Sequence, residues 1–224
     1  MAQGQAALLL LADGRLPAGG YAHSGGLEPT VQAGRVSDAT GLERFLVGRA
    51  ETTGFVAAAF AAAACERAAR DDTAALSALE SELDARTPSP ELRSVSRTLG
   101  RQLLRVMSTI HPHPHFAQLG TAPHQPVVMG VAAAALGLGP RDAALAILHE
   151  SVAGPAAAAA KLMRIDPFDV HAALARATER LDRLAGDAAD HAGAPASELP
   201  SRGAPLSDIA AEHHRSWNVR LFAS

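Results

Sequence analysis

Alanine restricts this chain more than any other feature. Residues 55–65 read Phe55-Val56-Ala57-Ala58-Ala59-Phe60-Ala61-Ala62-Ala63-Ala64-Cys65, and further alanine runs fill 132–135 and 156–160. Nearly a quarter of the residues are alanine, while aromatics make up 4%. Alanine has the highest helix propensity, whereas β-branched and aromatic side chains favour strands. The balance predicts an all-α protein whose helices approach closely. A hydrophobic fraction of 48% against 19% charged residues excludes a disordered chain. At 224 residues the chain suits one domain, with enough core to need neither a metal nor a disulfide.

Charge and motif content remove several function classes. A net charge of −3 leaves no basic field for a phosphate backbone, so no nucleic-acid partner is expected. Lys161 is the sole lysine and follows five alanines, so there is no phosphate-binding loop; any nucleotide chemistry must reside on a partner or use another motif. Cys65 is the single cysteine, which excludes an internal disulfide and fits a reducing compartment. A reactive thiol needs electropositive surroundings, and although Arg67 and Arg70 are near, the apolar, alanine-rich helix around Cys65 favours a buried structural thiol. No Gly-x-Ser-x-Gly motif marks a nucleophile, so no catalytic residue and no bound cofactor are expected. No charged leader precedes residues 6–12, and the longest apolar run is too short to span a bilayer. The expectation is a cytoplasmic protein without a membrane segment.

Hydrophobic spacing predicts seven to nine helices and no strand. A short helix covers 5–12, and another covers 27–32, closed by Gly34. Ser37-Asp38 caps a long helix running past Gly54 to about Arg70. Asp71 or Asp72 caps the next, through Leu76, Leu79 and Leu83, and Thr87-Pro88-Ser89-Pro90 ends it. Residues 91–110 follow, with Leu92, Val95, Leu99, Leu103 and Val106 on one face, then 125–136 and 140–152. Gly154-Pro155 is expected to break the chain before a helix over 156–164. Asp166-Pro167 opens the last core helix, with Val170, Leu174, Leu181 and Leu184 as its apolar stripe. Composition predicts a single-domain helical bundle over 1–185 and a flexible linker over 186–206. Residues 207–224 form a tethered C-terminal helix and tail whose apolar residues must dock on the same domain or another chain.

Two segments invite a chemical interpretation. His111-Pro112-His113-Pro114-His115 offers three imidazoles suited to nickel or zinc, although alternate residues of an extended segment do not converge on one point. A histidine-based nickel-binding metallochaperone or metalloenzyme is the alternative that these residues raise. His213 and His214 point about 100° apart on a helix, so one should face the interior and the other water. Residues 17–28, Pro17-Ala18-Gly19-Gly20-Tyr21-Ala22-His23-Ser24-Gly25-Gly26-Leu27-Glu28, carry four glycines in eight positions. Such a stretch takes positive φ angles or permits close approach. It either cradles an anion or lets the chain pass near the following helices, and Tyr21 serves as a core plug or as a contact.

Leu16 to Glu28 resembles the amino-terminal signature of the urease accessory protein UreF family. His213-His214-Arg215-Ser216-Trp217-Asn218-Val219-Arg220-Leu221-Phe222-Ala223-Ser224 resembles its carboxy-terminal end, an Arg-Leu-aromatic-x-Ser terminus. Residues 91–100 and His124-Gln125-Pro126-Val127-Val128-Met129-Gly130 resemble its middle helices in order. The resemblance implies a non-catalytic, usually homodimeric all-α scaffold. Such proteins join UreD (also called UreH) and the GTPase UreG to deliver nickel into apo-urease. It also implies that the glycine-loop aromatic, here Tyr21, and the terminal arginine, here Arg220, assemble that complex. His23, Ser24 and Glu28 of the loop and Trp217, Leu221 and Phe222 of the tail complete the expected partner-binding set. The chain departs from the usual pattern at His214, where members commonly carry Glu. It departs again at Asp166-Pro167-Phe168-Asp169, where a Gly-Gln pair is usual.

Overall fold

Helix α4 (Phe55–Ala69) is buried on every side, from Phe55 and Val56 through Ala58 to Cys65 and Ala68. A helix apolar all round belongs inside a protein, and the alanine run is that helix. The structure is a computed structural model that describes residues 4–72 and 74–223; the Ser224 of the tail motif lies outside the described residues. Before α4 come α1 (Gln5–Leu11), α2 (Leu27–Gln32) and α3 (Ala39–Arg49). After it come α5 (Ala74–Ala85), α6 (Pro90–Ile110), α7 (Gln125–Ala135), α8 (Pro140–Met163), α9 (Pro167–Ala189) and α10 (Pro205–Arg215). A π-helical turn, Ala50–Gly54, joins α3 to α4, so these segments make nine continuous rods among the described residues. The expected all-α bundle is what forms, and the described residues include no strand.

Local chemistry sets the helix starts. Asp38 Oδ1 accepts from the Gly41 N–H at 2.7 Å, Ser89 Oγ from Leu92 at 3.2 Å, and Asp166 Oδ1 from Phe168 at 2.8 Å. Each satisfies one of the N–H groups that a helix leaves unpaired at its beginning. Packing around α4 then depends on small residues. α7 and α8 lie closest against it, and α9 covers a further side. Gly130 of α7 faces α4 so tightly that an added Cβ would collide with the Ala61 carbonyl oxygen. That Cβ would also stand 2.7 Å from Ala64 Cβ and 2.8 Å from Cys65 N.

The structure corrects the expected break at Gly154-Pro155, because α8 runs unbroken from Pro140 to Met163 with Pro155 inside it. A proline in a helix removes its own N–H and frees the carbonyl four residues earlier, here Ser151. Arg49 supplies the missing donor, with its Nε 2.9 Å from Ser151 O. α8 is also long and apolar enough to cross a membrane, a length the apolar runs in the sequence do not reach. Over half of its most apolar window is buried against other helices, as in a core helix.

The segment over 186–206, expected from composition as a flexible linker, follows a defined course. Its first residues complete α9, and the rest lies along α4 and α5 as a strap. Arg67 donates to the carbonyls of Ala192 (3.2 Å) and Ala194 (2.7 Å). Arg86 donates to Ser197 and Leu199, both at 3.0 Å, and Leu199 is buried. The strap leads to α10, whose Glu212 carboxylate accepts from Ser89 Oγ and, at 2.9 Å, from the Glu91 N–H at the start of α6. Those two bonds hold the Glu212 carboxyl below its ordinary range, and the anion sits at the positive end of α6.

A matched pair of substitutions tests the close packing. Gly130→Ala should lower stability by about 1–3 kcal/mol through overpacking. Gly186→Ala, in α9 with nothing within 4 Å of the new methyl, should raise it by about 0.5–1 kcal/mol through helix propensity. Urea midpoints of the two variants read both signs.

Candidate functional site

The glycine-rich loop bends through positive φ at Gly19, Gly25 and Gly26. Between them a single 3-10 turn, Gly20–Ala22, lifts the Tyr21 ring into solvent, 74% exposed. Tyr21 is therefore a surface residue and not a core plug. At Gly25 (φ 60°) the backbone passes so near α8 that a Cβ would stand 2.9 Å from Pro155 Cγ and 3.2 Å from Arg49 Cζ. Arg49 Nη1 donates to Gly25 O at 2.9 Å while its Nε holds Ser151 O. One guanidinium thus ties the loop, the end of α3 and the proline site of α8 together.

Beyond this clamp the loop turns into α2. Ser24 is buried, and its Oγ accepts from the Glu28 N–H at 3.2 Å. The Glu28 carboxylate, only 2% exposed, faces the C-terminal tail. His214 Nε2 lies 3.1 Å from Glu28 Oε2, which also accepts the Phe222 N–H at 3.0 Å. Glu28 Oε1 accepts the Leu221 N–H at 2.9 Å. The Ala223 N–H then reaches back to Ala22 O at 2.8 Å, so the tail lies directly against the glycine loop. Phe222 is buried beneath it, with the Lys161 ammonium 6.0 Å from its ring centre.

The expected site residues thus divide into an outer and an inner group. Tyr21, Arg220 and Leu221 are exposed and line one shallow pocket with Lys161. Trp217 is half-buried, its ring 4.8 Å from that of buried His214 and 5.8 Å from that of exposed His213. Ser24, Glu28 and Phe222 lie inside and hold the tail in place. His23 is half-buried on the wall of an inner cavity, and burial lowers its imidazole pKa.

That cavity has a volume of about 340 Å³ and lies beneath the loop, bounded by α6, α8 and α10. Glu150 is on its wall, under Gly20. Burial pushes the Glu150 carboxyl up to about 7, against a hydrogen bond of 2.7 Å from Gln125 Nε2. Among the described residues no three His, Cys, Asp or Glu side chains converge as metal ligands. In the His-Pro-His-Pro-His segment His111 turns away from the other two rings. His111 Nε2 bonds Ala135 O at 3.0 Å, the His113 and His115 rings stand 4.2 Å apart, and His115 Nδ1 faces Asp71 at 3.5 Å.

Sequence reasoning missed Arg49, Lys161 and Glu150 as parts of the site. A cation on the apolar stripe of α3, upstream of a proline embedded in a helical pattern, was the signal available for Arg49. Lys161 and Glu150 gave none, since only the fold of α8 brings them beside the loop.

The chain is similar in sequence to known proteins of one family. A profile of the UreF family matches residues 36–178. The chain is 41% identical over 217 residues to a urease accessory protein UreF of Mycobacterium sp. (strain JLS), covering 97% of both chains. It is 39% identical over 219 residues to the UreF of Mycolicibacterium vanbaalenii and 37% identical over 219 residues to that of Mycobacterium tuberculosis H37Rv. Both of those alignments cover 98% of each chain.

Two measurements probe the inner group and the cavity beneath it. Glu28→Ala removes the acceptor of two backbone N–H groups, and charge-assisted bonds contribute about 1.5–3 kcal/mol each. Amide exchange at Leu221 and Phe222 should accelerate at least about tenfold, with Glu28→Gln in between because its amide oxygen still accepts. For Glu150 the folded carboxyl titrates near 7 against 4.5 for a free glutamate. Its folded state binds the proton more tightly, so its stabilising contribution is complete below pH 4.5 and lost as pH rises through about 7. In denaturation midpoints across that interval, Glu150→Gln should flatten the decline.

Proposed function

This chain belongs to the UreF family of urease accessory proteins, and from that premise we propose that it is a non-catalytic scaffold for nickel insertion. It joins UreD (UreH) and the GTPase UreG, as a homodimer in the cytoplasm, in a complex that loads apo-urease. Nickel is cargo of the assembly, and GTP binds the partner GTPase; the missing phosphate-binding loop is consistent with that division. The observation that carries the proposal is the folding of the tail onto the glycine loop. It gathers Tyr21, Arg220 and Leu221 from opposite ends of the sequence onto one exposed surface beside Lys161 of α8.

Such a surface has the composition of a docking site. Tyr21 and Leu221 offer apolar area at the centre, and arginine and aromatic anchors commonly dominate interface energy. The Arg220 guanidinium has no hydrogen bond or ion pair among the described residues and can make paired hydrogen bonds to a partner carboxylate. The buried Glu28 contacts fix the backbone on both sides of Arg220's neighbour Leu221, so less ordering remains to be done on association.

Co-purification of the tagged protein with UreD and UreG tests this role. Arg220→Ala and Tyr21→Ala should each weaken retention of the complex by at least about tenfold, the usual effect of losing an interface anchor. Recovery of the three-protein complex at undiminished yield from both variants would overturn the assignment.

A further inference from the structure

A second polar constellation lies away from the tail, where α5, α6 and the start of α7 meet at His124. The imidazole is fully buried. Its Nε2 stands 2.9 Å from Asp84 Oδ1 and its Nδ1 stands 2.9 Å from Ser96 Oγ. The His124 backbone N–H is held by both Glu80 carboxylate oxygens at 3.0 Å. Asp84 Oδ2 accepts from Arg97 Nη2 at 2.7 Å. An ionised carboxylate only accepts, so Nε2 carries the ring proton and the bare Nδ1 accepts from the Ser96 hydroxyl.

The charge states suit that tautomer. Burial lowers the His124 pKa despite the bond it donates to Asp84, so the ring is neutral at neutral pH. Burial would raise the Asp84 carboxyl, but bonds from His124 and Arg97 outweigh it and hold the group below its ordinary range. The charged groups facing the ring are Asp84 and Glu80 of α5 and Arg93 and Arg97 of α6. Ser96 itself lines the 340 Å³ cavity, among the apolar Leu92, Val95 and Leu99 of the same helix. Nucleophile, base, orienting carboxylate and an apolar space beside the nucleophile are all present.

We propose that Ser96 is a nucleophilic serine, activated through His124 by Asp84, and a site of acylation by small activated esters that enter this cavity. Ser96 Oγ attacks the ester carbonyl carbon as its proton passes to His124 Nδ1. The tetrahedral adduct collapses, the carbon–oxygen bond to the leaving alcohol breaks, and that oxygen takes the proton from Nδ1. The products are acyl-Ser96 and the alcohol, with the imidazole returned to its starting state. Ser96 stands in the middle of α6, where N–H groups are committed to the helix ladder. The adduct's oxyanion therefore receives no backbone donor pair of the kind that drives rapid turnover. The acyl group is transferred once and stays, which makes Ser96 a modification site and leaves the scaffold role unaltered.

The full chain incubated with p-nitrophenyl acetate, followed by peptide mass spectrometry over time, tests the proposal. Ser94 is an exposed serine on the same helix and serves as an internal reference. Ser96 should acetylate about 100-fold faster than Ser94, the lower range for a positioned general base. Asp84→Asn, at a side chain 41% exposed, should slow Ser96 at least about tenfold with Ser94 unchanged. The wild-type rate at Ser96 should rise with pH and level off with a midpoint below 6.5, the ordinary value for histidine. Labelling of Ser96 no faster than Ser94 would overturn the proposal, and so would an undiminished rate in folded Asp84→Asn. Should that variant fail to fold, the wild-type ratio of the two serines decides alone. Complex formation with UreD and UreG is read separately, so neither result stands in for the other.

Discussion

Close approach of α7 to α4 is the constraint on which the rest of this structure depends. Where Gly130 meets Ala61, Ala64 and Cys65, the two helices stand near backbone contact. Methyl-sized side chains permit that spacing, and dispersion contacts accumulate over the whole length of a helix so enclosed. α8 and α9 are then seated on the remaining sides of α4, and α3 continues into it through a π-helical turn. The positions of Arg49, Glu150 and Lys161 around the glycine loop follow from this frame.

Alanine helices leave few polar side chains to tie irregular segments down, and arginine takes that part. Arg49 reaches Gly25 and Ser151, Arg67 reaches Ala192 and Ala194, Arg86 reaches Ser197 and Leu199, and Arg202 reaches Glu51, each through a backbone carbonyl. Buried carbonyls outside regular ladders need donors, and a guanidinium offers five in a fixed fork. A strap without regular structure thereby acquires a set path. That path brings α10 to the N-terminus of α6 and the tail to Glu28.

Glu28 converts this architecture into a surface. Its carboxylate binds three groups of the tail from inside, so the exposed side chains of Arg220 and Leu221 and the ring of Tyr21 are displayed by backbone held from below. Such display is what the proposed scaffold role needs. The buried residues of the end motifs hold the exposed ones in register. The polar cluster at His124 is separate from this surface and uses different helices, α5, α6 and α7.

Much of the fold was legible in the sequence because its causes are local. Alanine content specified helix, apolar spacing placed the buried faces, and the side chains of Asp38 and Asp166 marked where helices begin. The two end motifs were visible as well, together with their resemblance to one family. Closure of the chain on itself was not legible. Pro155 punctuates a sequence, but Arg49, from another helix, repairs the break and lets α8 continue. Composition over 186–206 suggested a free linker, while Arg67 and Arg86 from distant positions, with the segment's own Arg202, give it a course. Phe222 and Glu28 are 194 residues apart and share a hydrogen bond, and Ser96, His124 and Asp84 sit on three elements with no common motif. Caps and periodicity act over a few residues and can be read along the chain. Contacts that satisfy a distant carbonyl or carboxylate exist only once the alanine core has fixed where each helix lies.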